Sequence, residues 1–175
     1  MAVVIGLLTL GARAGAAQDT SAAQAQDTTP MTLVVAVFPD QAAATQAMSA
    51  AQAAPSTDHL EYSALVSKDQ SGSIRVRQRH GKKGASSDPR ASKAVDGAIA
   101  LLGHPANSPL RSTDSTAVSQ AGLSQADANN LQAMLPPGGA AVIFVVANPY
   151  VSDMDSAMQQ AHAKQVLDAK LQTPP

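Results

Sequence analysis

An α+β sandwich is the fold class this sequence predicts, and three observations carry that expectation. Leu33–Phe38 and Ala140–Ala147 are continuous β-branched-rich runs, the pattern of strands buried on both faces. Other segments alternate apolar and polar residues, as half-buried strands do. Between them lie segments whose small apolar residues recur at helical spacing. The 175 residues suffice for one domain and are too few for two ordinary ones.

The elements follow in order. Pro39-Asp40 stops the first strand, and Asp40 can cap the free amides of a helix. Ala44, Ala47, Met48 and Ala51 form the apolar stripe of that helix, which Pro55 ends. His59 to Ser67 alternates, with Leu60, Tyr62, Ala64 and Val66 expected on one side. Lys68–Gly72 reads as a hairpin turn in which Gly72 takes a positive φ. Ser73 to Arg79 alternates again, placing Ile74, Val76 and Gln78 on one face and Arg75, Arg77 and Arg79 on the other. Pro89 suits a first helical position after Asp88, and Ala91, Val95, Ala98, Ile99 and Leu102 stripe the helix up to Gly103. Residues 80–119 otherwise read as a mobile, basic and irregular stretch. Ser124-Gln-Ala-Asp127 resembles a capping box, with Leu123 and Ala128 as a staple pair. Ala140–Ala147, the most apolar strand, is expected at the centre of the sheet. Met154, Ala157, Met158 and Ala161 mark a further helix, and Leu167, Ala169 and Leu171 one face of a closing strand. The series is β-α-β-β, then α-α-β-α-β. It predicts a ferredoxin-like sandwich, with a mixed or antiparallel sheet of about five strands and helices packed on one face.

Composition narrows the function classes. Hydrophobic residues make up 45%, yet 36 alanines supply nearly half of that fraction, so the core is thin per residue. Phe38, Phe144, Tyr62 and Tyr150 are the only aromatics, which argues against a deep aromatic-lined pocket. There is no cysteine, so disulfides, thiolate metal sites and a cysteine nucleophile are excluded. A net charge of −1 predicts no strong general attraction to nucleic acid or membrane.

Residues 1–30 stand apart. Ala2–Ala12 is an apolar run too short to span a bilayer, which takes about 20 residues. Ala14-Gly15-Ala16 and the polar stretch Gln18–Pro30 follow it in the order of a secretory signal and linker. Cleavage after residue 16 places the domain, residues 31–172, in the cell envelope or periplasm. Translation from Met31 would place it in the cytoplasm. No transmembrane span is expected in the domain itself.

Catalytic constellations are missing from the sequence. His59, His80, His104 and His162 are far apart and form no close ligand pair, so no metal is expected. No Gly-x-Ser-x-Gly elbow, Walker loop or Gly-x-Gly-x-x-Gly occurs, so neither an enzyme nor a cofactor is expected. Asp153 and Asp155 sit at a helix start, where the dipole favours them. One basic group merits weighing as a candidate anion-binding site: Arg75, Arg77, Arg79, His80, Lys82 and Lys83. Alternation would set three guanidiniums on one strand face, able to meet phosphates, anionic lipid headgroups or an RNA backbone. That strand offers no aromatic to stack on a base, so specific nucleic-acid reading is not expected. A solvated strand face that blocks edge-to-edge aggregation accounts for the same charges.

Several of these segments occur together in one known family. They are Leu33-Val-Val-Ala-Val-Phe38, Tyr62-Ser-Ala-Leu-Val66, Asp69-Gln-Ser-Gly72, Ile74-Arg-Val-Arg77, His80-Gly-Lys-Lys-Gly-Ala85, Gly122-Leu-Ser124 and Pro137-Gly-Gly-Ala-Ala-Val142. In this order and spacing they resemble the bacterial family labelled domain of unknown function 1269, over Met31 to Leu171. That family's labels speak of membrane or stress-related proteins, and it supplies no activity or catalytic residues to carry over. Its members follow the Gly-Lys-Lys-Gly-Ala stretch with a long Gly/Ala-rich apolar segment. Here Ser86–Lys93 stands in that place, and only Gly97–Gly103 keeps the apolar character. Together, the resemblance, the missing catalytic constellations and the thin, Ala-rich core lead to the expectation of a non-enzymatic module, envelope- or stress-related, that self-associates as a homodimer. The alternative is a small-ligand or polyanion-binding regulatory domain using residues 75–83.

Overall fold

The computed structural model describes residues 29–82, 88–105, 115–116, 118–119 and 121–172. The signal-like run, most of its linker, Lys83 and much of 106–120 lie outside the described residues. The elements are β1 (Met31–Phe38), α1 (Gln41–Ala53), β2 (Leu60–Lys68), β3 (Ile74–Gly81), α2 (Pro89–Gly103), α3 (Gln125–Met134), β4 (Ala140–Ala147), α4 (Val151–Gln160) and β5 (Gln165–Lys170). Short 3₁₀ turns at Pro55–His59 and Asn148–Tyr150 precede β2 and α4. The strands make one five-stranded antiparallel sheet in the order β3-β2-β4-β1-β5. This is the expected α+β class, with the Ala140–Ala147 strand at its middle.

Local chemistry sets the element ends. Asp40 Oδ1 accepts from the Ala43 amide at 2.9 Å and caps α1. Asp88 caps α2, with Pro89 at its first position. Ser124 Oγ accepts from the Asp127 amide at 3.1 Å, while its hydroxyl meets the Asp127 carboxylate at 2.6 Å. In the hairpin, Gly72 takes φ +88, and Asp69 Oδ1 accepts the amides of Ser71 and Ser73 at 2.9 Å each. Those bonds, the Ser71 hydroxyl first among them, hold the Asp69 carboxyl below its ordinary range.

Helices cover both faces of the sheet, which corrects the expectation of one. α1 and α4 pack on the front, where Ala44, Ala47, Met48, Ala51, Met154 and Met158 meet Val34, Phe38, Leu65 and Phe144. α2 and α3 pack on the back, where Ala91, Val95, Ala98, Leu102 and Leu131 meet Val35, Val66, Ile143 and Val145. Consecutive residues of a strand point to opposite faces. All eight residues of β1 are buried, which a one-sided sheet could not achieve. The apolar segment Gly97–Gly103 is the last part of α2, with Leu101 and Leu102 packed into the back core. No described helix is long and apolar enough to cross a membrane.

The topology accounts for both layers. β1, α1, β2, β4, α4 and β5 form a split β-α-β pattern in the order β5-β1-β4-β2, compatible with the ferredoxin-like label. Everything between β2 and β4 is an insert. It adds β3 to the sheet edge and then lays α2 and α3 across the back.

Two register shifts re-aim side chains in β2 and β3. One lies between Leu60 and Tyr62, so Leu60 joins the front core while Tyr62, Ala64 and Val66 face the back. This corrects the single alternating face expected for those four. The second lies between Leu65 and Val66, which pair with Gln78 and Val76 and leave Arg77 as the extra residue.

Candidate functional site

The bulge at Arg77 divides the basic residues. Directly opposite residues of an antiparallel pair share a face. Arg75 pairs with front-facing Ser67, and Arg77 Nε donates to the Ser67 hydroxyl at 3.0 Å. Gln78 and His80 pair with Leu65 and Ser63, also on the front. Arg79 pairs with Ala64 on the back and reaches Asp96 of α2 at 2.6 Å. Strict alternation through Arg75, Arg77 and Arg79 is therefore corrected: the three guanidiniums do not share a face.

Most of these cations already have partners. Burial alone would lower the Arg79 pKa, but the hydrogen bond and charge of Asp96, with a smaller share from Tyr62, hold it above the ordinary value. Lys82 Nζ lies 3.0 Å from Glu61 Oε1, and Arg75 Nε lies 3.9 Å from Asp69. Lys83 lies outside the described residues. Among the described residues these are local pairs along an edge strand.

A cleft of about 400 Å³ opens on the front, beside the 3₁₀ turn at Pro55–His59. It is lined by Gln52 at the end of α1, Thr57, Asp58 and Leu60 of the turn region, Ser63 of β2, and His80, Gly81 and Lys82 at the end of β3. Thr57 Oγ1 lies 2.6 to 3.0 Å from the carbonyl oxygens of Ala51, Gln52 and Ala54, which ties the turn to α1. Gly81 leaves room for the Tyr62 ring; a Cβ there would sit 2.9 Å from Tyr62 Cε2.

Ser63 is the unusual member. It is 0% exposed, and its hydroxyl has no hydrogen-bond partner among the described residues. Buried hydroxyls are almost always paired, and an unpaired one costs about 1–3 kcal/mol. Glu61, two residues earlier, holds Lys82 with one carboxylate oxygen, while the other, Oε2, is buried without a partner among the described residues. Asp58 is exposed on the rim and forms no ion pair among the described residues. Sequence reading brought His80 and Lys82 to this place and missed Ser63, Asp58 and Glu61. Their one visible signal was polarity inside and before an otherwise apolar strand.

Two other ionisable features lie elsewhere. Lys68 is 6% exposed, and its ammonium donates to the carbonyls of Leu102 at 2.9 Å and His104 at 3.4 Å, closing the C-terminus of α2. Burial lowers its pKa. On the front of β5, the Asp168 pKa is raised to about 6 by burial, by a hydrogen bond with Asp155 of α4, and by that neighbour's charge. No group of three or more metal-ligating side chains occurs among the described residues.

Comparison with protein-family models, with curated proteins and with solved structures finds no match.

Proposed function

We propose that this chain is a non-enzymatic binding module that takes a small polar ligand in the cleft beside Pro55–His59. The observation that carries this reading is the Ser63 hydroxyl, fully buried under the cleft and unpartnered. A group left unsatisfied at a cost to the fold, beneath an open cleft, suits a donor or acceptor that arrives with a ligand. A thermal-shift screen of small polar compounds tests it. Stabilising compounds are expected to shift the amide signals of Gln52, Ser63 and His80, and Ser63→Ala is expected to reduce the shift. In the free protein Ser63→Ala should be neutral or raise Tm, because it removes an unsatisfied group. A screen in which every stabilising compound acts equally on the Ser63→Ala variant would overturn the reading.

Self-association is a second reading, and it belongs with membership of the domain of unknown function 1269 family and an envelope or stress role. Val76 favours it: 42% exposed, it sits in edge strand β3, whose outer side is unpaired. Light scattering at micromolar concentration should give a dimer mass that Val76→Lys reduces to the monomer. A monomer in both cases removes this reading.

A further inference from the structure

We infer that the ligand of this cleft is a small ammonium-bearing molecule and not a phosphate or other anion, an inference that rests on the binding reading above. Its basis is which groups around the cleft are already committed. Lys82 is held by Glu61 at 3.0 Å, and the nearby guanidiniums face Asp69, Ser67 and Asp96. An anion would have to compete with those partners. The atoms without partners are acceptors or can serve as acceptors. Ser63 Oγ, a lining group, has no hydrogen-bond partner among the described residues. The Asp58 carboxylate stands on the rim without an ion pair among the described residues.

An ammonium carries three donors and no acceptor, which is the complement of that set. Its positive charge meets the Asp58 carboxylate on the rim. Hydrogen bonds between charged groups and their partners are about twice as strong as neutral ones. Ser63 is 0% exposed, so its hydroxyl is reached only when the lining side chains above it part. That requirement favours a slim primary amine over a branched or quaternary one.

The test is amide-resolved NMR titration of the full chain with ethanolamine, 1,4-diaminobutane and inorganic phosphate at matched ionic strength. The two amines should shift Asp58, Glu61 and Ser63 in a saturable way, and phosphate should not. Asp58→Asn, an exposed change that leaves the core untouched, should weaken amine binding by about tenfold, the loss of one charge-assisted contact. Lys82→Met should tighten it, because the cleft then loses a positive charge from its own lining. An anion site requires the opposite, so weaker binding in a folded Lys82→Met variant would overturn the inference. Saturable phosphate shifts in the cleft without amine shifts would also overturn it, while leaving the binding reading intact. If neither amine nor phosphate shifts the cleft, this inference falls, and the wider screen above decides the binding reading separately.

Discussion

Single polar residues carry the unusual energetics of this protein. Ser63 and Lys68 are both buried in β2, five positions apart, and they differ in whether they are satisfied. Lys68 has its carbonyl partners at the end of α2, so its burial is compensated. Lys68→Met keeps the apolar stem but leaves those carbonyls without their donor. The expected cost is about 1–3 kcal/mol, read as a lower midpoint in urea denaturation, with local loss of hydrogen-exchange protection at the end of α2. Ser63→Ala should move stability the other way. Caps and turns at this scale were legible in the sequence. Asp40, Asp88, Ser124 and Gly72 act within three residues of where they sit, so local spacing was enough to assign them.

Between elements, β5 and α4 share the Asp155–Asp168 pair. The Asp168 carboxyl rises from 3.8 to about 6 on folding, so the folded state holds its proton more tightly than the unfolded chain. The sign follows from linkage: the stabilisation is present at low pH and is lost as pH climbs from about 4 through 6, then stays flat. Deprotonation leaves two negative carboxylates, Asp155 and Asp168, beside each other. Asp168→Asn supplies a permanent donor and should remove this part of the pH dependence. Denaturation midpoints of both proteins from pH 3.5 to 7 check it. Parallel curves for variant and parent would exclude the pair as the source. The bulges belong to the same scale. Arg75, Arg77 and Arg79 alternate perfectly in sequence, yet the structure divides them, because the Leu65/Val66 register shift inserts one residue opposite β2. Register is a property of two strands, and neither carries it alone.

Across the whole molecule, the sheet is closed on both sides by the chain's own helices. Val34 and Val35 are adjacent, both 0% exposed, and belong to opposite cores. Val34→Asp and Val35→Asp should each abolish the cooperative transition, since each buries an unpaired charge worth several kcal/mol. A sheet covered on one face would tolerate one of them, and circular dichroism with the soluble yield separates the cases. The sequence by itself determined the number, order and type of elements, the centrality of Ala140–Ala147 and the stripes Ala44/Ala47/Met48/Ala51 and Leu167/Ala169/Leu171. Each of these is written in periodicity and local caps, which need no distant partner. Only the tertiary structure decided that α2 and α3 cross the back of the sheet and that Arg75, Arg79 and Lys82 each face a different carboxylate. It alone sets Ser63 unpartnered beneath a cleft. Those outcomes depend on which strand lies beside which, in what register and under which helix, and such long-range geometry leaves no mark on the spacing of residues along the chain.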